Sequence, residues 1–530
     1  MIEIHDLTLD IHGTGILHDV SLTIGAAEVF GLVGESGSGK SMTALAMMRL
    51  LPEGARASGQ ILLNDTNLLA LSEAEMCDLR GREIGMIFQE PMTALNPVRT
   101  IGDQVAETLL VHGRASRKEA LVIAAEKLAR VGLPPEDVPL DRYPHELSGG
   151  QRQRVSIALA IALRPRLLIA DEPTTALDVT TQAQILALLK GLVAEEGMSL
   201  LLITHDLAVV AGMADHVAVM QNGKIVEQAP TEQLFTQMKQ PYTRQLFEAS
   251  HHQPDRRVTA RSEPLLSVEN AQRNYRLPGI SLFGKTPVFQ AVKDVSFTIC
   301  KGESLGLVGE SGCGKSTLSR AILGLEPLQG GRIVMDGKEV QAGVHMPAEL
   351  RRKMQAVFQD PYGSFDPRWK VSDLIGEPFH LLEAPPQNRE ERICEALENV
   401  GMPIDCGDRY IHEFSGGQRQ RIAIARALVL HPELVILDEA VSALDVSIRA
   451  QILDLLADLQ ARLDLAYLFI SHDLNVVKAI TDRVLVMKAG EIVEAGTTQQ
   501  VFDAPQHPYT RTLLKAAPQI PRAWRKEHHA

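Results

Sequence analysis

Two stretches of this 530-residue chain have the residue types that hold phosphate. Gly34-Glu35-Ser36-Gly37-Ser38-Gly39-Lys40-Ser41 recurs as Gly309-Glu310-Ser311-Gly312-Cys313-Gly314-Lys315-Ser316, followed by Thr317. Each follows a short apolar run and precedes a helix-like one. That is the setting of a P-loop: glycines let the backbone wrap an anion, and loop N–H groups with the helix N-terminus supply positive potential. Lys40 and Lys315 reach the outer phosphates, and the Ser41 and Ser316 hydroxyls suit magnesium. Further on, Leu167-Leu168-Ile169-Ala170-Asp171-Glu172 and Leu434-Val435-Ile436-Leu437-Asp438-Glu439 are apolar strands ending in paired acids. Asp171 and Asp438 suit a metal, and Glu172 and Glu439 can act as general base on water. Such pairs also cap helices, but that does not explain their recurrence downstream of both P-loops. His205 and His472 each end another apolar run, 33 residues past the glutamate. A lone histidine there is more often a cap; two at one spacing favour contact with a terminal phosphate.

These residues need strands to carry them, and the chain supplies the set twice. Leu147-Ser148-Gly149-Gly150-Gln151 recurs as Phe414-Ser415-Gly416-Gly417-Gln418, and Gln89 after an apolar strand recurs as Gln359. The lysines lie 275 residues apart, the glutamines 270, and every later pair 267. A constant offset marks two homologous domains. The expected layout is a first domain over 1–250, a polar linker over 251–263 and a second domain over 264–530. The second copy gains a segment around Arg276 to Val288, marked by Pro278, Gly279, Gly284 and Pro287 as loop or hairpin. Buried β-type runs (Val29 to Val33, Leu167 to Ala170, Leu200 to Thr204) alternate with helical stretches such as Gln182 to Glu195. The fold class is therefore α/β with a mainly parallel sheet in each half. From about Glu90 to Ala160 the β-type runs vanish, which predicts a helical insertion.

Composition narrows the field. With 45% hydrophobic residues disorder is excluded as the main state. A net charge of −13 suits nucleic-acid binding poorly. Five cysteines without a C-x-x-C pair argue against zinc ribbons and iron–sulfur clusters and fit a reducing compartment. Cys313 reads as a small filler rather than a redox switch. The histidine pairs at 251–252 and 528–529 read as polar linker and tail, and Arg522-Ala523-Trp524-Arg525-Lys526 as a solvated tail. The most apolar candidate span is broken by Arg164, Pro165 and Arg166, and the N-terminus carries acid where a signal peptide needs base. The expectation is a soluble cytoplasmic chain.

P-loop, glutamine, S-G-G-Q, D-E and histidine, in that order, resemble the nucleotide-binding domain of ATP-binding cassette (ABC) proteins, once per half. The resemblance implies two tandem P-loop NTPase cassettes, ATP and Mg2+ as cofactors, and composite sites. One would combine Lys40, Ser41, Gln89, Asp171, Glu172 and His205 with Ser415, Gly417 and Gln418. Its mate would combine Lys315, Ser316, Gln359, Asp438, Glu439 and His472 with Ser148, Gly150 and Gln151. Gln89 and Gln359 join the serine and aspartate as metal ligands, and the Ala176-Leu177-Asp178 and Ala443-Leu444-Asp445 loops resemble those crossing between sites. Tyr275 fits the early aromatic that stacks on adenine; Ile11 holds that place in the first copy. Ala440 replaces the proline seen at Pro173, which loosens that turn.

Two further features, the run from Phe88 to Pro97 with its partner from Phe358 to Pro367, and Gln240-Pro241-Tyr242-Thr243-Arg244 with His507-Pro508-Tyr509-Thr510-Arg511, resemble the oligopeptide/dipeptide/nickel importer ATPases. The fused layout is most similar to microcin C and peptide importers and, less closely, glutathione importers. The resemblance implies two permease subunits, an extracytoplasmic solute-binding protein, no iron–sulfur cluster, and a peripheral place on the cytoplasmic face of the prokaryotic inner (plasma) membrane. Peptide, glutathione and nickel-chelate cargo all remain open. The rival is a two-cassette ATPase acting on ribosomes or nucleic acid. Such proteins carry long helical arms, zinc motifs or coiled coils, none visible here.

Overall fold

The computed structural model describes residues 2–175, 177–256, 262–276, 288–359, 363–442 and 444–524. The chain forms two compact units. Unit 1 holds Met1–Leu177, Thr181–Ser250 and Pro518–Ala530; unit 2 holds Asp178–Thr180 and His251–Ala517.

In unit 1 the central sheet runs in the order Lys224–Pro230, His216–Gln221, Val29–Val33, Ser199–Thr204, Leu167–Asp171, Ile84–Ile87. All neighbours are parallel except the hairpin formed by the first two. Every residue of Val29–Val33, Leu167–Asp171 and Ser199–Thr204 is buried. Layers cover both faces, so these strands read as unbroken apolar runs. A four-stranded antiparallel sheet, ordered Thr14–Ile24, Ile2–Ile11, Ala55–Leu63, Thr66–Asn67, packs its apolar face into one core with Leu32 and Met47. Nothing in the sequence patterning above marks that second sheet.

Unit 2 repeats the plan. Its central sheet is ordered Met354–Val357, Leu434–Asp438, Ala466–Ile470, Ser304–Val308, Arg483–Lys488, Glu491–Thr497, beside an antiparallel sheet of Val288–Cys300, Pro264–Arg276, Gly330–Met335 and Lys338–Glu339. The expected helical insertions are present. Unit 1 has Pro91–Ala94, Ile101–Val111, Arg117–Arg130 and Gly149–Ala160. Unit 2 has Val371–Gly376, Arg389–Asn399 and Gly416–Leu428, with short 3-10 turns.

Two segments differ from the sequence reading. Residues 251–256 of the linker belong to unit 2, where His252 Nε2 lies 2.6 Å from Asp454 Oδ1 and Arg256 pairs with Asp482 at 2.9 Å. The stretch 518–524 belongs to unit 1, and its end is not a solvated tail. Ile520 is buried with Phe235 and Leu246, and the Trp524 ring stacks on Phe235 (centroids 5.9 Å apart, planes 16° apart). Residues 257–261, most of the inserted segment (277–287), residues 360–362, Ala176 and Ala443 lie outside the described residues.

Candidate nucleotide sites

In each unit the P-loop leaves the C-terminal end of a central parallel strand, the end at which ligands bind in open α/β sheets. The helices Lys40–Met48 and Lys315–Ile322 start from Gly39 (φ 104°) and Gly314 (φ 110°). That left-handed backbone favours glycine, and a Cβ on Gly39 would come within 2.6 Å of Leu17 Cδ2. Gly37 and Gly312, also left-handed, face open space. The lysines are buried and fold back on their loops. Lys40 Nζ donates to the Gly34 and Glu35 carbonyls (both 2.8 Å), and Lys315 Nζ to those of Gly309 (2.7 Å) and Glu310 (2.9 Å). Lys40 also reaches Ser38 Oγ at 3.4 Å, where Lys315 meets Cys313 Sγ at 3.8 Å. Cys313 is buried, and burial pushes its thiol up, as suits a filler.

The acids end the strand beside the P-loop strand's inner neighbour. Ser41 Oγ donates to Asp171 Oδ1 at 3.1 Å. A hydroxyl and a carboxylate side by side form a hard-oxygen donor pair of the type magnesium takes. Glu172 gathers three partners: His205 Nδ1 at 3.2 Å from Oε1, and Gln89 Nε2 (3.1 Å) and Thr175 Oγ1 (2.9 Å), both donating to Oε2. In unit 2, His472 Nδ1 lies 3.3 Å from Glu439 Oε1. Burial pushes the Asp171 and Asp438 carboxyls up, and hydrogen bonds from Ser41 and Ser319 offset only part of that. Burial pushes the glutamates up too, but bonding to and charge from His205 or His472, with the P-loop lysine, outweigh it and hold both below the usual value. Each site thus keeps an ionised glutamate next to its oxygen pair. A carboxylate held in that state can accept the proton of a water attacking phosphorus.

Ser148 and Ser415 cap the helices Gly149–Ala160 and Gly416–Leu428. Each serine Oγ accepts from the N–H of Gln151 or Gln418 (3.2 and 3.4 Å), whose side-chain oxygen accepts from the serine N–H (2.9 and 3.0 Å). This is a reciprocal capping box. Gly150 and Gly417 are small for a reason internal to each unit: a Cβ there would come within 2.5 Å of Thr181 Cγ2 or Ile448 Cγ2. Their neighbours are less crowded: a Cβ on Gly149 would make an ordinary 3.8 Å contact with Leu177 Cδ2, and one on Gly416 would meet nothing.

The profile of the family described as ABC transporter matches residues 17–175 and 292–442, more than half of the chain. The chain belongs to the ABC transporter family. A second profile, Oligopeptide/dipeptide transporter, C-terminal region, matches 226–273 and 493–530 and so takes in both Pro-Tyr-Thr stretches. The Glutathione import ATP-binding protein GsiA of Escherichia coli (strain K12) is 48% identical over 537 residues, covering 95% of this chain and 86% of its own. That of Shigella flexneri is 47% identical with the same coverage. The sequence motifs put microcin C and peptide importers first; these relatives carry glutathione-import names. Among solved structures, the cbiO1 subunit of Clostridium perfringens is 29% identical, covers 46% of this chain and 92% of its own, and has a TM-score of 0.40.

This ABC-type ATPase has two cassettes that are alike but not equal. Where Ser41 donates to Asp171, the donor to Asp438 is Ser319, at 3.1 Å. Ala44 holds the corresponding place in the first cassette, so the sequence did carry the signal, as a serine with no counterpart. Thr175 donates to the Glu172 carboxylate, whereas Ser442 donates to the Glu439 backbone carbonyl at 2.9 Å. Gln359 is exposed beyond the strand Met354–Val357. The turn before Ala440 keeps the geometry of the one before Pro173. Glu439 (φ 52°) matches Glu172 (φ 46°), and their N–H groups donate to Ile470 (2.8 Å) and Ile203 (2.9 Å) alike. Tyr275 reaches the residue after the P-loop, its hydroxyl 3.5 Å from Thr317 Oγ1. Its hydroxyl donates to Glu326 Oε2, and the Arg273 guanidinium lies 4.7 Å over its ring. Ile11 packs against the first core.

Proposed function

We propose that this ATPase powers uptake of peptides or related small solutes through two permease subunits, on the cytoplasmic face of the prokaryotic inner membrane, with an extracytoplasmic binding protein supplying the cargo. Glutathione is the cargo favoured by the names of the relatives. The observation that carries the ATPase part is the doubled pairing of an ionised glutamate with a histidine beside an aspartate–serine oxygen pair. Magnesium held by Ser41 and Asp171, or by Ser316 and Asp438, would neutralise charge on the outer phosphates. Gln89 and Gln359 complete those ligand sets, and Glu172 and Glu439 are the bases. Among the described residues no helix is long and apolar enough to cross a membrane, so translocation falls to the permeases.

We further propose that each signature serine serves the nucleotide held by the other P-loop. The uncrowded backbone at Gly149 and Gly416, at helix N-termini, supports this, since such ends attract phosphate. Pairs of substitutions test it. Glu439→Gln with Ser148→Arg damages one composite site and should leave about half of the phosphate release. Glu439→Gln with Ser415→Arg damages both and should abolish it. Equal losses in the two variants would overturn the pairing. For the transport reading, the purified ATPase with both permeases in vesicles should take up glutathione or short peptides on addition of ATP and loaded binding protein. Absence of uptake with every such cargo would refute it.

A further inference from the structure

The Pro-Tyr-Thr stretches take no part in the chemistry above. They open the helices Pro241–Ser250 and Pro508–Ala516, and each helix start is pinned by one glutamate. Glu227 accepts from the N–H groups of Lys239 (2.8 Å) and Gln240 (3.1 Å), and Glu494 from those of Gln506 (2.7 Å) and His507 (3.0 Å). The following threonines, Thr243 and Thr510, are buried. So fixed, each helix turns one tyrosine back to the P-loop of its own unit. The Glu35 N–H donates to the Tyr242 hydroxyl at 3.3 Å, and the Glu310 N–H to the Tyr509 hydroxyl at 3.1 Å.

Glu35 and Glu310 are also the residues whose carbonyls the P-loop lysines take. One residue of each loop is therefore held from both sides, by a tyrosine at its N–H and by the lysine at its C=O. Burial above all pushes the Tyr509 phenol up, so it stays a neutral hydroxyl, and the Lys488 ammonium lies 4.7 Å over its ring. The contact recurs in both units, between tyrosines 267 residues apart and glutamates 275 apart, although the segments between loop and tail differ in length and sequence. Packing alone needs the ring but does not need the oxygen aimed at an amide.

We infer that Tyr242 and Tyr509 are positioning residues for the two ATP sites, setting the second residue of each P-loop so that the loop is shaped for phosphate before nucleotide arrives. This rests on the ATPase reading. It gives the tail motif a task within the cassette: its tyrosine braces the loop, and a shift of the tail helix moves the loop with it.

The test uses the full chain with Tyr242→Phe and Tyr509→Phe, alone and together, since phenylalanine keeps the ring. KM for ATP should rise about threefold to tenfold in the double variant, the effect of one hydrogen bond, with kcat within about twofold and the thermal midpoint unmoved. Amide hydrogen exchange should quicken at residues 34–41 and 309–316. Unchanged KM and unchanged exchange would overturn the inference. So would a fall in thermal midpoint and kcat together with KM constant, which marks packing alone. If the double variant does not fold, exchange in the parent decides: Glu35 and Glu310 amides protected without nucleotide support the brace, and amides exchanging freely refute it. A parent that binds no Mg-ATP would instead sink the ATPase reading itself.

Discussion

Glu172 and Glu439 stand in left-handed backbone (φ 46° and 52°), a conformation that costs a non-glycine residue of the order of 1–3 kcal/mol. Their N–H groups still extend the parallel ladder, so the turn holds the carboxylate at the strand end, against the histidine. Glu172→Gln with Glu439→Gln should cut phosphate release about a hundredfold or more, the scale of general-base catalysis, while ATP binding persists; filter binding with phosphate release checks both. The pH dependence has a definite sign. Each glutamate's folded value lies below its ordinary one, so its stabilising contribution is present above about pH 4.5 and is lost as pH falls through the lowered value. The gap in thermal midpoint between parent and double variant should therefore be widest near neutrality and shrink toward pH 4. Ser319 supplies a separate test. Ser319→Ala frees Asp438, so in a Glu172→Gln background the magnesium concentration giving half-maximal turnover should shift about twofold to tenfold. The thermal midpoint, measured without magnesium, should fall as the half-buried Asp438 carboxylate loses its donor.

At the scale of elements, the two signature helices depend on their first turn. Ser148→Ala and Ser415→Ala each remove a capping box and should cost about 1 kcal/mol, read as a lower unfolding midpoint of the unit concerned. Gly150→Ala and Gly417→Ala should destabilise further, because their methyl groups meet Thr181 and Ile448; Gly149→Ala has room and should melt like the parent. Those helix starts were legible only through the resemblance of S-G-G-Q to the ABC family, although S-x-x-Q is also a capping pattern. The parallel strands Leu167–Asp171 and Leu434–Asp438 were legible because burial on both faces leaves a continuous apolar run ending in acid. The antiparallel sheets were not. Register shifts interrupt Ile2–Ile11 and Pro264–Arg276 several times, and each breaks the period of two by which a half-buried strand is read.

For the whole molecule, the duplication was plain in the constant spacing of paired motifs, and with it the P-loops, acids and histidines of both sites. The place of the last residues was not, because Ile520 and Trp524 form no periodic pattern and their partner Phe235 lies far away in sequence. Trp524→Ala should remove an aromatic pair worth about 0.5–1.5 kcal/mol beyond its buried area. Differential scanning calorimetry should show unit 1 melting earlier while unit 2 is unaffected. Deleting residues from 518 onward should enlarge that shift. The same returning segment fixes an order of manufacture. A ribosome adds roughly 5–20 residues per second, so the Phe235 face of unit 1 waits some tens of seconds, for all of unit 2 to be made, before its covering segment emerges. The half of the protein that is born first is completed last, and during that interval its uncovered aromatic face is open to chaperones or to other nascent chains.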